Sequence, residues 1–233
     1  MPLFRQAVLS TAYFPPAEYF FAIAQSGKTL LEQYGTYAKQ SYRNRCNILT
    51  SQGVESLSVP VVSGASHGMP IREVRIDWSD PWLLKHKRAF EAAYNSSAFF
   101  EYYRDDIFAV LDKKEKYLFD MNLSLLDTLL GMLGIKADIQ LTDTYEKDYG
   151  EGDFRERIHP KWIGENLLKE NGFERPWFQV FCGSPSRISN ENAVPGIVPG
   201  TAFIPNLSVL DLLCAEGPNA SCRRRFPFAR VKG

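Results

Sequence analysis

The chain has 233 residues, of which 45% are hydrophobic and 23% charged, a composition typical of a globular protein of one large or two small domains. Lysine plus arginine and aspartate plus glutamate number 27 each, so the formal net charge is zero. This balance argues against broad nucleic-acid binding, which needs a basic surplus, although a local basic pocket is compatible with it.

The sequence gives no sign of a membrane span or a signal peptide. No apolar run reaches the roughly 18 residues that a membrane helix requires. The first 16 residues contain interrupting polar side chains and two prolines, unlike a secretory signal. We therefore expect a cytoplasmic protein, with its four scattered cysteines as free thiols and no metal site or cofactor.

The first 33 residues predict a β-α-β unit, the usual opening of an α/β fold. Segment 7–13 reads as a buried strand, 17–25 as a short apolar helix, and 28–33 as a second strand. A β-hairpin follows over 46–62, with its turn at Gln52-Gly53. A loop at 63–70 then leads into 71–77, where apolar and polar residues alternate as in a half-buried strand.

A block of three helices is expected in the middle of the chain, at 82–94, 97–113 and 117–134. Ser79 or Asp80 is placed to cap the first of them. Strands are predicted at 137–143 and 177–181, and a helix at 206–217 capped by Asn206 or Ser208. We predict one α/β domain over 1–220 with a mixed sheet, mobile loops at 145–175 and 182–203, and a basic tail at 221–233.

The stretch KQSYRNRCN at 39–47 concentrates hydrogen-bond donors at the start of the hairpin. In an extended segment, Arg43, Arg45 and Asn47 share one face, and Tyr42, Asn44 and Cys46 share the other. A guanidinium group suits a carboxylate or phosphate, so this block is a candidate anion site. The alternative is that these arginines pair with carboxylates of the chain itself.

Cys46 and His86 form a candidate pair for nucleophilic catalysis. A thiolate beside an imidazole is a competent acyl-transfer nucleophile, nearby Arg43 and Arg45 would lower the thiol pKa, and Asp77 is placed to orient the imidazole. The alternative reading of Cys46 is a small buried apolar residue.

His86 is also a candidate general base in its own right, because the KHKR stretch at 85–88 reads as the polar face of a helix. A surface histidine without a catalytic role is the alternative. In the last helix, Ser208 and Asp211 have the spacing of a capping box; that helix reads as mainly structural, with Asp211 as a further candidate for the site.

Several stretches read in order resemble the WbqC-like family: Tyr13 to Pro15, the Lys39–Arg45 block, Val59 to Val61, Trp82 to His86, and Ser208 to Gly217. The resemblance implies a role in surface-polysaccharide or O-antigen biosynthesis, through acyl or aminoacyl transfer to an amino sugar or nucleotide sugar. The family motif falls on Lys39, Ser41, Asn44, Arg45, His86 and Asp211.

The sequence therefore predicts a small sugar or nucleotide-sugar substrate as partner, with no nucleic acid and no membrane span. The expected substrate-binding residues are Lys39, Ser41, Arg43, Asn44, Arg45 and Asp211, and the expected catalytic residues are His86, Asp77 and Cys46. A non-catalytic sugar-nucleotide-binding or scaffold protein is the alternative, and a transferase or hydrolase dependent on Cys46 is a third possibility.

Overall fold

The computed structural model describes residues 2–62, 68–160, 167–170, 179 and 204–221. These residues form five strands and six α-helices. In chain order they are β1 (Phe4–Ser10), α1 (Ala17–Ala24), β2 (Ser26–Glu32), β3 (Arg45–Thr50), β4 (Gly53–Ser58), α2 (Trp82–Tyr94), α3 (Phe100–Asp112), α4 (Leu118–Met132), β5 (Ile139–Leu141), α5 (Leu167–Glu170) and α6 (Val209–Glu216).

A parallel sheet with the strand order β1-β2-β5 confirms the predicted β-α-β opening. Strand β1 pairs with β2 from Phe4 opposite Ser26 to Ser10 opposite Glu32. The carboxyl ends of all three strands therefore lie at the same edge of the sheet. In open parallel sheets this edge is where ligands bind, so it sets the position of the candidate site.

The segment that follows β5 returns to cover the free side of β1. The backbone N–H of Phe154 donates to the carbonyl of Val8 across 2.9 Å. Gly152 makes this approach possible, because a Cβ atom at this position would overlap the carbonyl oxygen of Gln6. The residues after Gly152 are thereby held against the carboxyl end of β1.

The predicted β-hairpin is confirmed, with β3 and β4 antiparallel and Thr50 opposite Gly53 at the turn. Gly53 has a φ of 114°, a backbone conformation that favours glycine. The hairpin is tied to the C-terminal part of the fold by a 2.7 Å hydrogen bond from the Ser208 N–H to the Asn47 carbonyl.

The three-helix block is also confirmed, and its helices bury one face each against a common core. On α2 the buried side chains recur at helical spacing, from Trp82 through His86 to Phe90. The core of α3 and α4 is built in the same way, with Phe100, Tyr103, Ile107, Leu111, Leu118, Leu125 and Leu129 among its members.

Two of the strand predictions differ from the structure. Strand β1 starts at Phe4 and ends at Ser10, because the chain leaves the sheet before Phe14, which has a φ of 41°. The prediction of a strand over 71–77 is wrong: Ile71–Glu73 is a 3-10 turn, followed only by isolated bridges. Its apolar side chains face the core because the backbone here bonds to the residues at the start of α4.

Of the two predicted cap residues of the last helix, Ser208 is the one that caps α6. Its hydroxyl accepts a hydrogen bond from the Leu210 N–H. Of the predicted loop over 145–175, the structure describes a 3-10 turn at Gly150–Gly152 and the helix α5. The predicted strand at 177–181 lies outside the described residues apart from Gln179. The 182–203 loop and the tail from 222 onward also lie outside them.

Candidate functional site

A recess opens at the carboxyl end of β1. Its walls come from three segments that are distant in sequence: the end of β1, the loop before β3, and the segment that covers β1. Its lining includes Ser10, Thr11, Tyr19, Ser41, Arg43, Arg155 and His159. Its inner volume is about 10 Å³, room for roughly one water molecule, within about 280 Å³ that includes the open mouth. The recess therefore fits one small chemical group of a ligand whose remainder stays at the mouth.

Arg43 reaches the recess because the loop before β3 is held by local hydrogen bonds. Gln40 takes a left-handed conformation with a φ of 59°, and the Ser41 hydroxyl donates to the Ala38 carbonyl across 2.7 Å. From helix α4, the side-chain amide of Asn122 donates to the Arg43 carbonyl across 2.8 Å. Bonds on both sides thus fix the backbone of Arg43 and orient its side chain.

The Arg43 side chain is buried, with 9% of its surface exposed. Its Nη2 atom donates to the Ser10 hydroxyl across 2.9 Å and lies 3.6 Å from a carboxylate oxygen of Glu156, whose side chain is 77% exposed. In the part of the chain that the structure describes, Nε and Nη1 of Arg43 have no hydrogen-bond partner. Burial lowers the pKa of the Arg43 guanidinium, so an anion beside it would relieve a desolvated charge.

Thr11, also on the wall of the recess, carries an unsatisfied hydroxyl. The residue is 2% exposed, and its Oγ1 atom has no hydrogen-bond partner among the described residues. A buried hydroxyl without a partner is costly, about 1–3 kcal/mol, and is uncommon in folded proteins. Thr11 and Arg43 together therefore present free hydrogen-bonding capacity in one small space.

The second buried guanidinium of the recess, that of Arg155, is fully engaged. It bonds to Asp153 at 2.6 Å, to Glu32 at 3.3 Å and to two backbone carbonyls, and it lies over the rings of Tyr145 and Tyr149. The hydrogen bonds that Arg155 donates to the Asp153 carboxylate raise the pKa of Arg155. Arg155 is therefore a fixed part of the wall, whereas Arg43 has guanidinium N–H groups that can still donate to a ligand.

Glu32 is the buried anchor of this wall, at the end of β2. Its carboxylate accepts from the backbone N–H groups of Tyr34 and Gly35 and from the hydroxyl of Thr142, in addition to Arg155. The carboxyl ends of β2 and β5 are thereby joined to the segment that carries Arg155, which keeps the recess in shape.

The predicted Lys39–Arg45 block is divided by the fold. The chain turns through 39–44 and the strand begins only at Arg45, so the extended segment in which Arg43 and Arg45 would share one face does not form. Ser41 and Arg43 line the recess. Lys39 is exposed, and the Nε of Arg45 donates to the Ser58 hydroxyl across 3.2 Å on the hairpin.

Asn44 belongs to the structure of the hairpin rather than to the recess. Its side-chain amide donates to the Val59 carbonyl across 2.8 Å, and the Val59 N–H donates to the Asn44 carbonyl across 2.8 Å. This pair of bonds explains why an asparagine is found next to the two arginines: it ties the strand entrance to the end of β4.

His86 lies on the buried face of α2, so the prediction that it stands on a polar helix face is wrong. The residue is 4% exposed, its Nδ1 is 2.8 Å from the Tyr13 hydroxyl, and Trp82 and Phe90 flank its ring. Burial lowers the pKa of His86 to about 4, against the effect of a hydrogen bond with the Ser58 backbone. His86 does not line the recess.

Cys46 is fully buried, and burial raises the pKa of its thiol. The expectation that the arginines lower that pKa is wrong, because desolvation of the thiolate dominates. Burial, with a smaller contribution from the nearby Cys46, raises the pKa of the Tyr13 hydroxyl. Cys46 and His86 therefore both approach Tyr13, beneath the surface of the protein.

Asp77 and Asp211 are each placed by local structure. The carboxylate of Asp77 accepts from the backbone N–H and the hydroxyl of Ser79, which lowers its pKa; His86 bonds elsewhere, to Tyr13 and Ser58. Asp211 is buried in the first turn of α6 and does not line the recess.

Four residues of the site were not predicted: Thr11, Glu32, Arg155 and Glu156. Thr11 directly follows β1 and Glu32 is the last residue of β2, at the sheet edge where ligands bind in open parallel sheets; the predicted strand over 7–13 placed Thr11 inside the strand instead. The other two lie in a polar segment without periodicity, so only the close approach at Gly152 brings them to β1. His159 also lines the recess.

Within the described ranges, no group of three or more His, Cys, Asp or Glu side chains is arranged to hold a metal ion. Over the same ranges, every helix is too short or too polar to cross a membrane. Cys46 and Cys214 are free thiols, as the sequence predicts; the other two cysteines lie outside the described residues.

Comparison with known proteins gives a family and one relative. The model of the WbqC-like protein family matches residues 11–172. The uncharacterized protein Rv1507c of Mycobacterium tuberculosis is 32% identical over 150 residues, which cover 64% of this chain and 63% of that protein. The chain thus spans less than two thirds of the length of this relative. No solved structure gives a significant match.

Proposed function

The chain belongs to the WbqC-like protein family, and we propose that it binds an amino sugar or nucleotide sugar of surface-polysaccharide or O-antigen biosynthesis at the recess beyond β1. An anionic group of the ligand, a phosphate or carboxylate, enters the recess and pairs with Arg43. The sugar itself lies at the mouth.

The observation that carries this proposal is the state of Arg43. Its guanidinium is buried and bonded to Ser10, and its backbone carbonyl is held by Asn122, yet its nearest ion-pair partner is the exposed Glu156 at 3.6 Å. Buried cations are normally paired closely or hydrogen-bonded throughout. A planar fork of donors held in a narrow recess suits a carboxylate or phosphate group of a ligand.

The surroundings suit a ligand rich in hydroxyl groups. Ser10, Thr11 and Ser41 line the recess together with Tyr19, a combination of hydroxyl-bearing residues and an aromatic residue that suits a sugar. Lys39 is exposed two positions before Ser41 and adds positive charge near the entrance.

Acyl or aminoacyl transfer to the sugar is the reaction that we propose for a catalytic protein, with His86 as general base. A histidine whose pKa lies near 4 is neutral at pH 7, as a general base must be before it accepts a proton. His86 would then act through the Tyr13 hydroxyl, to which it is bonded at 2.8 Å.

Non-catalytic binding is the second candidate, and the burial of His86 favours it. With 4% of the residue exposed, His86 has no open path to a sugar hydroxyl in this conformation. The pKa of about 4 also makes it a weak base. In this case the protein holds a sugar derivative for the assembly machinery without altering it.

Titration calorimetry with a panel of nucleotide sugars and amino-sugar phosphates tests the binding role. Arg43→Gln should weaken the affinity for the tightest ligand by about tenfold or more, because a charge-assisted hydrogen bond contributes roughly 1.5–3 kcal/mol. Arg5→Gln is the matched control, since Arg5 is exposed at the opposite end of β1. Equal affinities of the two variants would refute the assignment of the site.

A further inference from the structure

We propose that Glu156 is a displaceable internal counter-ion: the anionic group of the ligand replaces the Glu156 carboxylate at Arg43 and accepts a hydrogen bond from the Thr11 hydroxyl. Like the proposed function on which it rests, this displacement concerns the recess beyond β1. It adds that Glu156 leaves Arg43 before the anion binds, and that Glu156 and Thr11 set the affinity of the recess for that anion.

The charges at the recess favour replacement over simple addition. Its ion pairs join two guanidinium groups, Arg43 and Arg155, to three carboxylates, Glu32, Asp153 and Glu156. With all three carboxylates in place, a further anion would enter a negative environment. Once Glu156 has left, the incoming anion restores the same balance of charge.

Glu156 is the carboxylate that is free to leave. Its side chain is 77% exposed and lies 3.6 Å from Arg43, whereas Glu32 and Asp153 are largely buried and bond to Arg155 at 3.3 and 2.6 Å. Only the Glu156 partner is exposed, but water around its carboxylate screens the pair, which therefore contributes roughly a fivefold change in an equilibrium constant. Rotation of one exposed side chain into water therefore opens Arg43 at small cost.

Thr11 supplies the second, independent sign of a missing partner. Its hydroxyl is buried and, within the described part of the chain, hydrogen-bonds to nothing. An oxyanion seated against the Nε and Nη1 atoms of Arg43 in the same narrow recess provides an acceptor for that hydroxyl. The inner volume of about 10 Å³ has room for roughly one water-sized group, so one oxygen atom of the oxyanion would reach the Thr11 hydroxyl while the rest of the anion stays nearer the mouth.

The test uses the full chain and simple oxyanions, so that it does not depend on the identity of the sugar. Binding of inorganic phosphate, and separately of acetate, is followed by NMR titration at constant low ionic strength. Glu156→Gln should bind the preferred oxyanion about two- to fivefold more tightly than the unaltered chain, because the competing carboxylate has gone. The better of the two probes identifies the group as phosphate or carboxylate.

Glu151→Gln is the matched control, because it removes one exposed carboxylate from the same segment without removing a partner of Arg43. A gain for Glu156→Gln that exceeds the gain for Glu151→Gln supports displacement. If the two variants bind alike, or if neither binds either probe, displacement is refuted. The sugar-binding proposal is judged separately, by the effect of Arg43→Gln on the sugar ligand.

Thr11→Val separates a role in binding from a role in folding. It removes the hydroxyl while keeping the shape, so it should weaken oxyanion binding by about tenfold and at the same time raise the Tm. Thr11→Ser should restore most of the binding. A variant that binds as tightly as the unaltered chain, or that loses binding together with a fall in Tm, would overturn the assignment of Thr11.

Discussion

Arg155 Nη1 donates to Glu32 Oε2 across 3.3 Å, joining residues that are 123 positions apart in the chain. The bond links the carboxyl end of β2 to the segment that covers β1, so one wall of the recess depends on it. Both groups are buried, with 8% and 3% of their side chains exposed. Charges in such surroundings are stable only when they remain paired.

Arg155→Met should therefore lower the free energy of unfolding by about 3 kcal/mol, since it leaves the buried Glu32 carboxylate without its cation. Urea denaturation measures the loss. Arg157→Met is the matched control: Arg157 pairs with Glu170 at 3.0 Å near the surface, and its loss should cost at most about 1 kcal/mol. Similar losses in the two variants would contradict a structural role for the buried pair.

Glu18 should make the protein less stable as the pH rises. This buried carboxyl group accepts from the Leu167 N–H at 3.4 Å, and burial raises its pKa from 4.5 to about 8. The folded state therefore holds the proton more tightly than the unfolded chain, and the stabilisation is lost as the pH increases from about 4.5 to 8.

Glu18→Gln should remove this dependence and raise the free energy of unfolding at alkaline pH by roughly 2 kcal/mol. Denaturation curves collected across the pH range measure it. Glu73→Gln serves as a control, because Glu73 is exposed and is not among the groups that shift the pKa of Glu18. An unchanged pH profile in Glu18→Gln would show that Glu18 is ionised in the folded state at neutral pH.

His86 should make the protein less stable as the pH falls, the opposite of the effect of Glu18. Burial lowers its pKa from 6.5 to about 4, so the unfolded chain takes up the proton first and stability falls as the pH drops from about 6.5 to 4. His86→Gln should reduce this acid-induced loss by roughly 2 kcal/mol. His159→Gln is a suitable control, because it removes a histidine outside the Tyr13 contact.

The same His86 variant distinguishes the two proposed functions. With His86 as general base, kcat of an acyl-transfer reaction should fall by about 100-fold or more while affinity for the sugar is kept. In a non-catalytic binding protein, His86→Gln should change stability and leave ligand affinity within about twofold. Loss of affinity together with an intact pH profile would fit neither function.

Cys46→Ala should leave ligand affinity unchanged and lower the free energy of unfolding by about 1 kcal/mol, the effect of removing a small buried apolar group. Calorimetry and urea denaturation measure the two quantities. If the correctly folded Cys46→Ala variant lost all catalytic turnover, the result would instead support Cys46 as a nucleophile.

Local patterns predicted most of the fold. The helical stripe from Trp82 to Phe90 and the turn at Gly53 depend on residues close together in the sequence, and both predictions are confirmed. The prediction of a strand over 71–77 was wrong because an alternation of apolar and polar residues indicates only which side chains are buried. Here they are buried because the segment packs beside α4, not because it pairs in a sheet. Periodicity alone cannot tell these two causes apart.

The candidate site was harder to predict because it depends on contacts across the chain. The sequence placed Arg43 in an anion site, but it gave His86 an exposed position, since the flanking Lys85 and Lys87 suggested a polar face. The orientation of one helical residue depends on what packs against it, here Tyr13. Thr11 and Arg155 meet only because the segment after β5 folds back on β1.

The most direct test is a crystal structure of the full chain with its tightest-binding sugar ligand. We predict an anionic group of that ligand within hydrogen-bonding distance of Arg43 and of the Thr11 hydroxyl, with Glu156 turned into solvent. Ligand bound elsewhere, for example in the open groove between α3 and α4 near Tyr102, with Arg43 still beside Glu156, would contradict the account.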